Sequence, residues 1–251
     1  MIDEERVVEL DGARLSYRVA GSGPALVLIH GLAGSSRWWA RNVGPLAERF
    51  TVYAVDLLGF GASRGQRFVL ADAAGLLARW LDGLGIYGAG LVGHSLGGLI
   101  ALDLAAEYPE LIARLVLVDA AIFAPGSRPL RYAVNLLRQA RYTPLDFTPV
   151  VARDALRAGP RAILSAGTAL LRGDPRRNLP RLRQPALLIW GERDVVVPVS
   201  LGEELAALLP GARLVVLPGA GHNPMWDRPE AFDALVIDFL AAGENTGSAG
   251  G

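Results

Sequence analysis

The chain has 251 residues, enough for one large domain with a substantial core. Apolar residues make up 51% and charged residues 20%, a balance that excludes a disordered chain. Net charge is zero with no basic block, so nucleic acid and anionic membrane surfaces are poor partners. Cysteine is absent, which removes disulfides and thiol chemistry and leaves the redox compartment open. Lysine is absent too, which removes Schiff-base and serine–lysine mechanisms. Met1 to Glu5 is acidic and lacks the apolar stretch of a secretion signal. No apolar run is long enough to span a bilayer, so no membrane insertion and a cytoplasmic location are expected.

In chain order, Arg6 to Leu10 and Ala13 to Val19 alternate in character and flank Asp11-Gly12, a hairpin signal. Ala25 to Ile29 is a continuous apolar run of buried-strand type, ended by His30-Gly31. Arg37 to Phe50 has helical spacing. Thr51 to Val55 reads as a strand ending at Asp56, followed by the loop of Gly59 and Gly61. Leu70 to Leu84 reads as a helix, and Gly90 to Val92 as a strand. A further helix runs from Leu99 to about Tyr108, where Pro109 stops it, and Ile112 to Val118 is the next buried strand, ending at Asp119. Strand and helix alternate to this point, which argues for a parallel sheet covered on both faces.

The rhythm then breaks. Ala121 to Arg183 holds no convincing strand but three helical patches, Pro129 to Tyr142, Thr148 to Ala158 and Pro160 to Arg172. Its place directly after an apolar strand suggests a lid over the edge of the sheet. Alternation resumes with the strand Ala186 to Gly191, the helix Val199 to Leu209, the strand Arg213 to Leu217 and the helix Pro229 to Ala242. The expected organisation is a core of residues 1–120 and 184–243, a helical cap at 121–183 and a flexible tail at 244–251.

One stretch organises the rest. Gly93-His94-Ser95-Leu96-Gly97-Gly98 places a serine where an apolar strand reverses into a helix. Side chains at positions 93 and 97 would clash in so tight a turn. The serine backbone should be strained, and the helix N-terminus behind it favours a developing oxyanion. The three histidines, with Asp56, Asp119 and Asp194, all fall at or just past strand ends, where open parallel sheets gather ligands. Ser95 needs a base, and His222 in its glycine-bearing loop suits best; His30 and His94 are weaker candidates, His94 being expected to point away. The imidazole needs an acid, for which Asp194 leads and Asp119 is runner-up. His30 and Asp56 suit structural roles in their own loops.

These motifs together resemble the α/β-hydrolase superfamily across nearly the whole length. His30-Gly31, Asp56-x-x-Gly59-x-Gly61-x-Ser63, the stretch at 93–98, Gly191-Glu192-Arg193-Asp194 and Gly221-His222 match its pattern in place and order. The resemblance implies an α/β fold, a mostly parallel eight-stranded sheet with helices on both faces and a helical cap inserted after the sixth strand. It implies a Ser95, Asp194, His222 triad in the chain order of this fold, with the oxyanion hole formed by the Leu32 and Leu96 amides. Serine at 95 argues against the dehalogenases and epoxide hydrolases of the superfamily, which use aspartate. No metal or organic cofactor is implied.

The expected reaction is hydrolysis of small to medium apolar carboxylic esters through an acyl-enzyme, by a monomer or homodimer. Trp38, Phe123, Leu136, Leu137 and Met225, with Leu164, Leu171 and Trp226, are candidate pocket residues. Rival readings are hydrolysis of carbon–carbon bonds in meta-cleavage products, with Arg138, Arg141 or Arg157 binding a carboxylate, a lactonase, and a non-catalytic ligand receptor.

Overall fold

The computed structural model describes residues 4–122, 129–172 and 176–242. Phe123 and the tail at 244–251 lie outside the described residues. The chain begins with β1 (Glu4–Leu10) and β2 (Ala13–Ala20), an antiparallel hairpin closed by Asp11 and Gly12, both at positive φ. β3 (Ala25–Ile29), α1 (Val43–Ala47), β4 (Thr51–Asp56), α2 (Leu70–Gly83), β5 (Ala89–His94), α3 (Leu96–Glu107) and β6 (Ile112–Val118) follow. A helical segment then intervenes, with α4 (Pro129–Gln139) and α5 (Thr148–Arg172). β7 (Ala186–Gly191), α6 (Val199–Leu208), β8 (Arg213–Leu217), α7 (Pro224–Asp227) and α8 (Pro229–Ala241) complete the chain.

The eight strands form one sheet in the order β1-β2-β4-β3-β5-β6-β7-β8. β2 runs antiparallel to β1 and β4, and the pairs from β4 through β8 are parallel. Strand residues alternate between two buried clusters. Val27, Ile29 and Leu91 join α2, α3 and α6 on one face; Leu26, Leu28 and Val92 join α1 and α8 on the other. Residues Leu96 to Ala106 of α3 are buried all round, as a helix sealed under an insertion should be.

Two sequence expectations need adjustment. The single helix expected over 37–50 is instead a 3₁₀ turn, Ser36–Trp39, and the short α1, with Ala40 to Asn42 between them. The patches at 148–158 and 160–172 meet end to end in α5, kinked at Gly159, whose φ of 76° no regular helix holds. No helix among the described residues is long and apolar enough to cross a membrane.

The segment between β6 and β7 is fastened to loops at the C-terminal edge of the sheet. Phe147 is fully buried, stacked on Trp226 at 4.3 Å between centroids and edge-on to Trp38 at 5.5 Å. Ser35 donates to Asp154 at 2.6 Å, and Arg41 pairs with Asp146. Asn178 donates to Asp103 of α3 at 2.7 Å.

Candidate active site

The turn from β5 into α3 is as tight as its glycines imply. A Cβ at Gly93 would strike the carbonyl oxygen of Gly97, and one at Gly97 would lie 2.5 Å from the carbonyl oxygen of Ile29. Ser95 sits at the apex with φ 52° and ψ −115°, a strained conformation for a residue with a side chain. Its backbone is held on both sides, by its own N–H to Val118 at 2.9 Å and by its carbonyl, which accepts from Ala121 at 3.0 Å. The sheet therefore holds the hydroxyl in place.

His222 follows β8 in a loop that brings its ring over the same edge. Its Nε2 lies 3.1 Å from Ser95 Oγ, and its Nδ1 lies 2.7 Å from Asp194 Oδ2. The other oxygen of Asp194 accepts from the Val196 and Val197 amides at 2.7 and 2.9 Å. A carboxylate with two backbone donors stays in place and stays an acceptor. The imidazole then carries its proton on Nδ1 and presents a lone pair at Nε2 to the hydroxyl. Ser95, His222 and Asp194 are 2%, 7% and 5% exposed, so the chain of bonds lies out of bulk water.

The other expected acids and histidines fall close by in different roles. Asp119 is fully buried with φ 41°; its Oδ1 accepts from the Gly191 amide at 2.9 Å and its Oδ2 has no partner among the described residues. Burial first, and the neighbouring Asp194 second, push its carboxyl well above the usual range. His30 accepts from the Leu57 amide at 3.0 Å and contacts the Gly31 carbonyl at 2.7 Å, and burial lowers its pKa. Asp56 takes the Ser36 amide at 2.5 Å and the Ala62 amide at 2.7 Å, tying two loops. His94 makes no hydrogen bond to Ser95 among the described residues. Its Nε2 meets the His222 carbonyl at 2.7 Å.

Neither the Leu32 nor the Leu96 amide meets an acceptor among the described residues, and Leu96 opens α3. Among the expected pocket residues, Trp38 and Met225 are buried in the cluster around Phe147. Leu136 and Leu137 are a correction: at 41% and 78% exposed they stand in solvent and wall no buried pocket. α4 turns Asn135 and Gln139 inward, one turn apart, and leaves the leucines outside.

Gln139 is a residue that sequence reasoning missed. It is buried, its Oε1 accepts from the Val195 amide at 3.1 Å, and its amide nitrogen packs against Gly221. It thus touches the neighbours of both Asp194 and His222. Phe147 was missed as well; neither carries a motif, and only the placement of the insertion brings them in. His94, Asp119 and His222 offer donor atoms within 4.8 Å of one another. Both His222 nitrogens are already engaged, so a cation there would have to displace Ser95 or Asp194.

Comparison with known proteins gives the family of the chain. The model of the alpha/beta hydrolase family matches residues 26–235, and the chain belongs to that family. It is 33% identical to a pimeloyl-[acyl-carrier protein] methyl ester esterase of Nitrosomonas europaea, over 89% of this chain and 100% of the relative. It is 30% identical to a 2-hydroxy-6-oxo-6-phenylhexa-2,4-dienoate hydrolase of Burkholderia cepacia, over 93% of each. An enol-lactonase structure from Burkholderia xenovorans LB400 superimposes with a TM-score of 0.80 at 27% identity, covering 94% of this chain and 100% of that one. Family membership defines the protein as a hydrolase.

Proposed function

We propose that the protein hydrolyses carboxylic esters of small to medium apolar substrates through an acyl-enzyme on Ser95. The observation that carries this reading is the unbroken chain of hydrogen bonds from Ser95 through His222 to Asp194, at 3.1 and 2.7 Å. His222 takes the hydroxyl proton as Ser95 attacks the ester carbonyl, and Asp194 stabilises the imidazolium. The Leu32 and Leu96 amides receive the oxyanion of the tetrahedral intermediate. His222 then protonates the leaving alcohol, and water, activated by the same imidazole, releases the acid. No step calls for a metal or organic cofactor.

In this reading residues 121–183 are a cap over the site, and Trp38 and Met225 contribute to the apolar side of the pocket. The esterase from Nitrosomonas europaea supports ester chemistry. A second reading, carbon–carbon or lactone hydrolysis by the same triad, is favoured by the dienoate hydrolase and the enol-lactonase. Hydrolysis of p-nitrophenyl esters of increasing acyl length tests the ester reading. kcat/KM should fall from short to long chains. A steady rise out to palmitate overturns the size preference, and turnover of dienones or lactones with none of esters selects the second reading.

A further inference from the structure

The zero net charge of the chain conceals a strong asymmetry. Residues 121–183 hold twelve arginines, three aspartates and no glutamate, a net charge of +9, so the remaining residues carry −9. Arg176 and Arg177 pair with Glu204 and with Asp103 and Glu107 of the rest of the chain, but the insertion's own acids offset few of the others. Asp154 is buried against the Ser35 hydroxyl, Asp146 is paired with Arg41, and Asp174 lies outside the described residues. Arg138, Arg141, Arg153, Arg157 and Arg161 are all exposed.

The same segment concentrates exposed apolar side chains. Leu145, Leu156, Leu137 and Leu164, at 91%, 83%, 78% and 69%, are the most exposed large apolar residues among those described, and all four belong to it. Scattered single leucines on a surface are ordinary; four of them interleaved with the five exposed arginines just named are not. Arginine lays its apolar stem along a surface and keeps its head at the level of anionic groups, while leucine reaches deeper. Basic residues and apolar anchors together are what reversible attachment to a charged bilayer requires.

We infer that the outward face of the helical insertion docks reversibly on an anionic lipid bilayer. The leucines come from α4, from the connection before α5, and from both sides of the Gly159 kink. A protein groove reads one row of anchors on one element; a bilayer accepts anchors from several. The expectation that an anionic membrane surface is a poor partner rested on the charge of the whole chain, which averages the two parts away. This inference is independent of the ester reading, since its test involves no turnover.

The test is sedimentation of the purified full chain with vesicles of phosphatidylcholine alone, and of phosphatidylcholine with an equal amount of phosphatidylglycerol. Wild type should partition onto the mixed vesicles at low salt, and less as salt rises. Arg153→Gln and Arg161→Gln should each lower the partition coefficient about fivefold. Leu145→Ser with Leu156→Ser should lower it at every salt concentration, and Arg49→Gln, exposed on the other part of the chain, should leave it unchanged. Equal partition onto both vesicles, or arginine variants that match wild type, would overturn the inference. So would a chain that stays off vesicles while light scattering shows self-association of the +9 segment with the −9 remainder of another copy, or while it binds an acidic protein instead.

Discussion

His94 Nε2 and the carbonyl oxygen of His222 lie 2.7 Å apart, and the two rings are 4.9 Å apart between centroids. A carbonyl only accepts, so the His94 proton must reside on Nε2. Burial, reinforced by the neighbouring His222, holds the His94 pKa well below its ordinary value and keeps the ring neutral. The residue before the nucleophile therefore ties the strand of Ser95 to the loop of His222.

Replacing His94 by Phe keeps the ring and removes the tie. kcat should fall by about 10- to 100-fold with KM changed little, because the His222 ring loses its register on Ser95. His94→Gln, which restores a donor, should recover part of the loss. Steady-state kinetics on p-nitrophenyl butyrate checks this. Unchanged kcat in His94→Phe would show that other contacts hold the loop.

The two acids beside His222 should separate cleanly. Asp194→Asn lets the imidazole adopt the wrong tautomer, so kcat should drop by about 10⁴-fold. Asp119→Asn keeps an acceptor for the Gly191 amide and leaves the bond from His222 to Asp194 in place, so its loss should be less than about tenfold. The same kinetics on the two variants checks the assignment. A larger loss at Asp119 would move the acid to the end of β6.

Asp233 supplies a prediction about stability. It is buried and accepts from Asn42 at 2.8 Å, and burial raises its carboxyl from 3.8 to about 7. The folded state holds this proton more tightly than the unfolded chain does. Its contribution is therefore full below pH 4 and is lost as pH rises through about 7. Asp233→Asn removes that dependence, and should be more stable than wild type at pH 8 by at most about 4 kcal/mol, with the gap closing at acid pH. Urea unfolding across this pH range measures it. A constant gap would mean that the carboxyl does not titrate with folding.

Much of this protein was legible in its residues. Apolar runs such as Leu26 to Ile29 and Leu115 to Val118 have the length and continuity of strands buried on both faces, and the turn at Asp11-Gly12 matches the hairpin observed. Ser95, Asp194 and His222 stood out because each follows a strand, and the topology brings strand ends together. The insertion was harder to read. Its leucines looked like lining residues, since helical spacing says which residues share a face but not which way that face turns. Leu136 and Leu137 face solvent, while the polar Gln139 faces the site. Burial there follows from how a helix sits on loops 50 or more residues distant, which no local pattern encodes. The partner of His94 is illegible for a related reason: it is a backbone carbonyl from the far end of the chain.

The most direct test of the triad is rapid mixing of p-nitrophenyl butyrate with wild type and with Ser95→Ala. An acyl-enzyme on Ser95 predicts stoichiometric labelling of that residue by a fluorophosphonate, and a rate in Ser95→Ala lower by at least about a thousandfold. Equal rates in the two proteins, or turnover in neither, would contradict it.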